Sequence, residues 1–128
     1  MKKITFFFVL LGLFLLIFTG CGSKVTVTGA VTFPDGSPLT QGFVIFENGM
    51  YQVSGAINSD GQYKMGEQNG NGIKVGDYKV RIISQSGGSS DGDPIVIYVA
   101  EKYSNVNSSN LTCSVKGKTT FNIIVEKP

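Results

Sequence analysis

The chain of 128 residues has no histidine, no tryptophan and only two cysteines. Without an imidazole, every mechanism built on a histidine base or a histidine metal ligand is excluded. A serine or cysteine nucleophile would need another base within reach, and no lysine-dyad motif stands near one. Net charge is equally scarce. The formal +2 belongs to Lys2 and Lys3; beyond residue 20, nine cations balance nine acids. Charge therefore gives no argument for binding nucleic acid or an acidic membrane. The length allows one domain, and no cofactor is expected.

What is present begins with an address. Lys2 and Lys3 precede an uncharged stretch at 4–18, broken only by Thr5 and Gly12. A basic start, a short apolar run and then small residues form an export signal. The run is shorter than the roughly 20 residues that a spanning helix needs. It closes with Ile17-Phe18-Thr19-Gly20-Cys21, which resembles the lipobox of bacterial lipoproteins. That resemblance implies cleavage before Cys21, acylation of its thiol and stable anchoring through several acyl chains. Phe18 stands where that motif usually has leucine. The competing readings are an ordinary signal peptide with an unrelated cysteine, or an uncleaved anchor. The expected organisation is a signal peptide at 1–20, a lipidated N-terminus and short tether at 21–23, and a domain at 24–128. Gly22 is not acidic, so one inner-membrane retention signal is absent. Acylation of Cys21 would leave Cys113 as the lone thiol, with no disulfide to staple the fold. A core must then suffice; a domain of about 100 residues buries roughly 65% of its unfolded surface.

The domain reads as strands. Val25, Val27, Gly29, Val31 and Phe33 alternate with Lys24, Thr26, Thr28, Ala30 and Thr32, the period of a half-buried strand. Pro34-Asp35-Gly36 ends it. Residues 43–47 form a second strand, and Asn48-Gly49 predicts a type I′ turn into a partner carrying Tyr51, Val53 and Ile57. Asn58-Ser59-Asp60-Gly61 predicts the next turn, followed by Tyr63 and Met65. Residues 66–72 are too polar to pack and read as a loop. Tyr78, Val80 and Ile82 alternate with Lys79 and Arg81. Residues 84–93 contain no apolar side chain and predict the longest loop. The apolar run at 95–100 predicts a strand buried on both faces. Leu111, Cys113 and Val115, then Phe121, Ile123 and Val125, complete about eight strands with no helical period after Phe18. The expected fold is an all-β sandwich.

Several of these segments are similar to one family. Val27-Thr28-Gly29-Ala30-Val31, Asp35-Gly36-Ser37-Pro38-Leu39, Ser59-Asp60-Gly61-Gln62-Tyr63 and Gly76-Asp77-Tyr78-Lys79-Val80 resemble the carboxypeptidase regulatory-like, or transthyretin-like, domain. The tail from Glu101-Lys102-Tyr103 to Val125 resembles small bacterial surface lipoproteins that carry it. The resemblance implies a Greek-key sandwich of seven or eight strands, of the prealbumin type, without catalytic residues of its own.

Candidate sites are few. Cys113, in register with Leu111 and Val115, reads as a small core residue. Asp91 and Asp93 form the close carboxylate pair, either a solvated loop or two of the six to eight oxygens that calcium requires. Asp35 and Asp60 sit at turns, where Asp bonds local backbone. Of the aromatic residues, Tyr51 and Tyr98 read as packed. Tyr103, among polar neighbours, is the best candidate for a sugar platform, or else folds back onto the sandwich. Asn107-Ser108-Ser109 and Asn110-Leu111-Thr112 match the N-glycosylation pattern; beside a lipobox of bacterial type they read as chance matches. The function expected is a non-catalytic structural or protein-interaction module of the cell envelope; the alternative is an accessory that binds polysaccharide or peptide. Cys21→Ser tests the address: the variant should leave the membrane fraction or stall before maturation, and wild-type fractionation and migration would refute the lipid anchor.

Overall fold

The computed structural model describes residues 24–66, 72–88 and 91–128. The expected export signal at 1–20, Cys21, its expected tether and the centre of the 66–72 stretch lie outside them. The described chain is an all-β sandwich with no α-helix among the described residues.

The first sheet holds β3 (Phe43–Asn48), β4 (Tyr51–Ala56), β7 (Gly76–Ile83) and β10 (Leu111–Val115), antiparallel in the order β10-β7-β3-β4. The second is built around β2 (Val27–Thr32). On one side β2 pairs antiparallel with β5 (Gln62–Lys64); on the other it pairs parallel with β11 (Thr119–Thr120) and β12 (Ile123–Ile124). A ribbon of β1 (Lys24–Val25) and β6 (Ile73–Lys74) lies at one end. A ribbon of β8 (Gln85–Ser86) and β9 (Val96–Ile97) lies at the other.

The period-2 patterning places the core where expected. Val27 and Val31 from β2 meet Val44 and Phe46 from β3, and Val80 and Ile82 from β7, all fully buried. Phe46 joins the sheets: its ring lies 5.7 Å from Tyr78 beside it and 6.0 Å, edge-on, from Phe121 in the opposite layer. Each such side chain contributes about 1.5–3 kcal/mol through burial.

The sheets hold more and shorter strands than the alternation predicts, because long runs are interrupted. The clearest break separates β11 from β12. Both keep the same register on β2, so Phe121 falls opposite Gly29 and Asn122 opposite Ala30. In an undisturbed parallel ladder the Ala30 N–H would reach the Phe121 carbonyl. Here it donates to Asn122 Oδ1 at 3.0 Å, while the Phe121 carbonyl turns over Gly29 and accepts from the Tyr63 hydroxyl. A Cβ on Gly29 would lie 1.9 Å from that oxygen, so only glycine fits.

Four expectations need correction. The β3–β4 connection is Gly49-Met50, not Asn48-Gly49, since Asn48 pairs with Tyr51. Gly49 has φ +58 and Met50 is not left-handed, the pattern of a type II′ rather than a type I′ turn. At the next turn it is Asn58, not Asp60, whose side chain accepts backbone N–H groups, those of Asp60 and Gln62. The expected loop at 84–93 begins with strand: Ser84 is buried, its Oγ donates to the Gln41 carbonyl at 2.7 Å, and Gln85 and Ser86 pair with Ile97 and Val96. Backbone pairing there needs no apolar side chain. The run at 95–100 is not buried on both faces; Ile95, Val96 and Ile97 are 60%, 46% and 46% exposed, because β9 pairs only with β8, beyond the end of the sandwich.

Gly29→Ala should destabilise the domain by about 3 kcal/mol or more, since backbone must move. Tyr63→Phe, which orphans the Phe121 carbonyl, should cost about 1–3 kcal/mol. Gly117→Ala, where a Cβ meets nothing within 4 Å, should unfold with wild type in urea titration.

Candidate functional site

Two surface features stand out, a hollow beneath the β8–β9 ribbon and an open groove on the second sheet, and neither is lined by Tyr103, Asp91 or Asp93. The first is the end of the sandwich beneath β8–β9. The strand β7 leads straight into β8, which carries β9 out past the sheet, and the Tyr98 N–H donates back to the Ser84 carbonyl at 3.0 Å. Ser86 and Tyr98 share a hydroxyl hydrogen bond of 2.9 Å, which holds the Tyr98 hydroxyl below its ordinary pKa, with Gln41 adding to the effect. The ribbon is thus fixed at its root, and Ile95, Val96 and Ile97 are displayed on it. Between this ribbon and the exit of β2 lies a hollow of about 280 Å³, lined by Phe33, Pro38, Leu39, Ile97, Tyr98, Lys127 and Pro128 among others.

The second surface is an open groove of about 570 Å³ on the outer face of the second sheet. Strand register builds it in two rows: Lys64, Thr28 and Thr120 side by side, then Gln62, Ala30 and Asn122. Ala30 is the low point between two amides, and Asn58 stands at the rim. The lining holds one cation, Lys64, and no carboxylate. Such a surface offers hydrogen bonds to a polar ligand but no acid–base pair.

Tyr103 is corrected. It is 5% exposed, held in a short 3₁₀ turn (Glu101–Ser104), and its hydroxyl accepts the Glu126 N–H at 3.2 Å. The ring folds back onto the sandwich and is no open sugar platform, because the polar neighbours face water while the backbone turn directs Tyr103 inward. Asp91 and Asp93 are exposed at the tip of the β8–β9 hairpin, flanking Gly92. The structure does not bring them to the groove, and among the described residues no cluster of three or more acidic or cysteine side chains could hold a metal. Cys113 is a buried free thiol, as its alternation predicts, and burial pushes its pKa up. Asp35 caps its turn: it accepts the Ser37 hydroxyl at 2.6 Å and the Ser37 N–H at 3.0 Å, which hold its carboxyl below the ordinary range. Cys21 lies outside the described residues. The groove had one legible sign, the small outward residues Thr28 and Ala30 in β2; the ridge had none, since an exposed apolar run and a buried one read alike.

No family model matches the chain, and no curated protein matches it. Among solved structures it is similar to a DUF3823 family protein from Parabacteroides merdae, at 16% identity and a TM-score of 0.48 over 81% of this chain and 46% of that one. A DUF3823 family protein from Bacteroides ovatus gives 20% identity and a TM-score of 0.46 over 80% and 44%. A 9R-lipoxygenase from Cyanothece gives 14% and 0.43 over 87% and 18%. The chain thus spans less than half the length of each of these proteins. The functional reading rests on the chain's own residues.

Tyr103→Ala should lower stability by about 3–5 kcal/mol through the cavity it opens, measured by urea unfolding. In the same titration Cys113 should react with a thiol reagent only as the domain unfolds. Rapid labelling of the native protein would place the thiol at the surface.

Proposed function

We propose that this protein is an exported lipoprotein, held by lipid on Cys21 at the outer face of a bacterial membrane, and that its β-sandwich is a non-catalytic interaction module of the cell envelope. The anchoring is supported by the basic start, the apolar run at 4–18 and the lipobox-like Ile17-Phe18-Thr19-Gly20-Cys21. The segments similar to carboxypeptidase regulatory-like domains favour a companion role of this kind, although fold likeness alone assigns no activity.

The observation that carries the interaction reading is the position of Ile95, Val96 and Ile97. Strand β7 runs from Gly76, beside the β1–β6 ribbon, to Ile83, beside the β8–β9 ribbon. Its eight residues put about 26 Å between the two ends. The described chain begins at the first end, in β1, and the apolar ridge is at the second. An anchored domain would turn that ridge away from its own bilayer, toward another envelope protein.

A second reading, binding of polysaccharide or peptide, is favoured by the groove of Thr28, Ala30, Gln62, Lys64 and Asn122. In-cell crosslinking of the tagged full-length protein separates the two. A recurrent protein partner should be captured by wild type and lost from a variant carrying Ile95→Ser, Val96→Ser and Ile97→Ser, whose melting temperature should stay within a few degrees of wild type. Capture of wall or capsule polymer instead, lost with Gln62→Ala and Lys64→Ala, would put the groove first. Capture of both kinds unchanged by either variant would refute both surfaces.

A further inference from the structure

The chain beyond residue 20 has balanced charge, but the fold sorts that charge along its axis. At the end where the described chain starts, Lys24 pairs across the ribbon with Lys74. Lys118 directly precedes Thr119, which is opposite Val27, and Lys64 is opposite Thr28. Lys116 follows Val115, which pairs with Gly76, and it lines the same hollow as Val75. These lysines come from four separate places in the chain, β1, β5, β6 and the Lys116-Gly117-Lys118 connection between β10 and β11, so no single run in the sequence announces the group. Among the described residues the acids at this end are Asp77, whose carboxylate accepts the Ser114 hydroxyl at 2.7 Å, and Glu47, which lines a hollow with Asp77 and pairs with Arg81 at 2.8 Å. Between the lysines Val75 is 54% exposed.

The opposite end carries Asp35, Asp60, Asp91, Asp93, Glu101 and Glu126. Its cations are Lys102, which pairs with Glu126 at 3.1 Å, and Lys127, which lies 5.2 Å over the Phe33 ring. One pole is basic and the other acidic.

We propose that the pole formed by Lys64, Lys74, Lys116 and Lys118 is a docking face for anionic phospholipid headgroups, which holds the sandwich upright with its acidic, ridge-bearing pole outward. One observation commits it to a bilayer rather than to an acidic protein: it is the face from which the chain leaves toward Cys21. This inference rests on the proposed lipid anchor. Gly22 and Ser23 reach at most about 7 Å when extended, so an acyl chain on Cys21 would keep the Lys24 end of the domain close to the headgroups, whose charge is felt over a Debye length of roughly 8 Å. Basic side chains near an anionic surface then add to anchoring by acyl chains. Lys74 keeps its charge exposed although its Nζ stands 5.1 Å over the Tyr51 ring, and Val75 can contact the headgroup layer between the lysines.

The test uses the full-length lipoprotein, extracted from membranes and added to vesicles of phosphatidylcholine alone or mixed with phosphatidylglycerol. Each lysine is then labelled with an amine reagent and read by mass spectrometry. Lys64, Lys116 and Lys118 should label about fivefold more slowly on the anionic vesicles, with Lys102 and Lys127 unchanged. High salt should abolish the difference. Lys64→Gln, Lys116→Gln and Lys118→Gln together should remove the preference for anionic over neutral vesicles without changing the melting temperature. Equal labelling on both vesicles, or slower labelling of Lys102 and Lys127, would overturn the docking face. Retention on neutral vesicles separates the two ideas. Protein that floats with both vesicles yet shows no lysine pattern keeps its anchor and loses this orientation. Protein that leaves neutral vesicles but shows the pattern on anionic ones keeps the orientation and loses the anchor.

Discussion

The Phe121 carbonyl is the constraint on which the sandwich turns. The C-terminal run must lie parallel to β2 to close the second sheet, and at its midpoint one peptide leaves the ladder and points into the core. A buried carbonyl without a donor is costly, and three separate residues meet that cost. Gly29 leaves the space, Tyr63 supplies the hydroxyl, and Asn122 takes over the N–H of Ala30. Burial raises the Tyr63 pKa, with the Cys113 thiol nearby adding to it, so the phenol stays protonated and able to donate. Phe121 gains from the arrangement, because its ring meets Phe46 edge-on and ties the two layers together.

That closure also produces the surfaces. The groove lies on the outer side of the same β5-β2-β11/β12 strands, and its low point is Ala30, next to the glycine that the carbonyl requires. Asn122 therefore has two roles, filling a gap in the ladder and lining the groove. At the sandwich ends, chain direction decides which charges meet. Each pole gathers the starts of some strands and the exits of their antiparallel neighbours, so a neutral composition becomes a basic end and an acidic end. Together with the ridge on β8–β9, this gives the proposed envelope module an axis, with the anchor at one pole and the partner surface at the other.

Much of the fold was legible because half-buried strands write their period directly. The alternation of Val27 and Val31, of Tyr78, Val80 and Ile82, and of Cys113 and Val115 each places those residues in the core. Asp35 was legible as a cap because its bond partner, Ser37, is local. The failures share one cause, which is that burial depends on distant neighbours. Ile95, Val96 and Ile97 have the composition of an inner strand, but β9 has a partner on one side only. Gln85 and Ser86 have the composition of a loop, but β9 gives their backbone a partner. Tyr103 has polar neighbours, but Glu126 supplies its hydroxyl with an N–H from the other end of the domain.

By itself the sequence determined the strand period, the core side of each long strand and the absence of imidazole chemistry, because these depend on residue type and on spacing along the chain. Only the tertiary structure decided why position 29 is glycine, which apolar run stays in water, where the polar groove opens and which lysines share a pole. Each of those depends on atoms brought together from distant parts of the chain, and composition carries no record of which parts will meet.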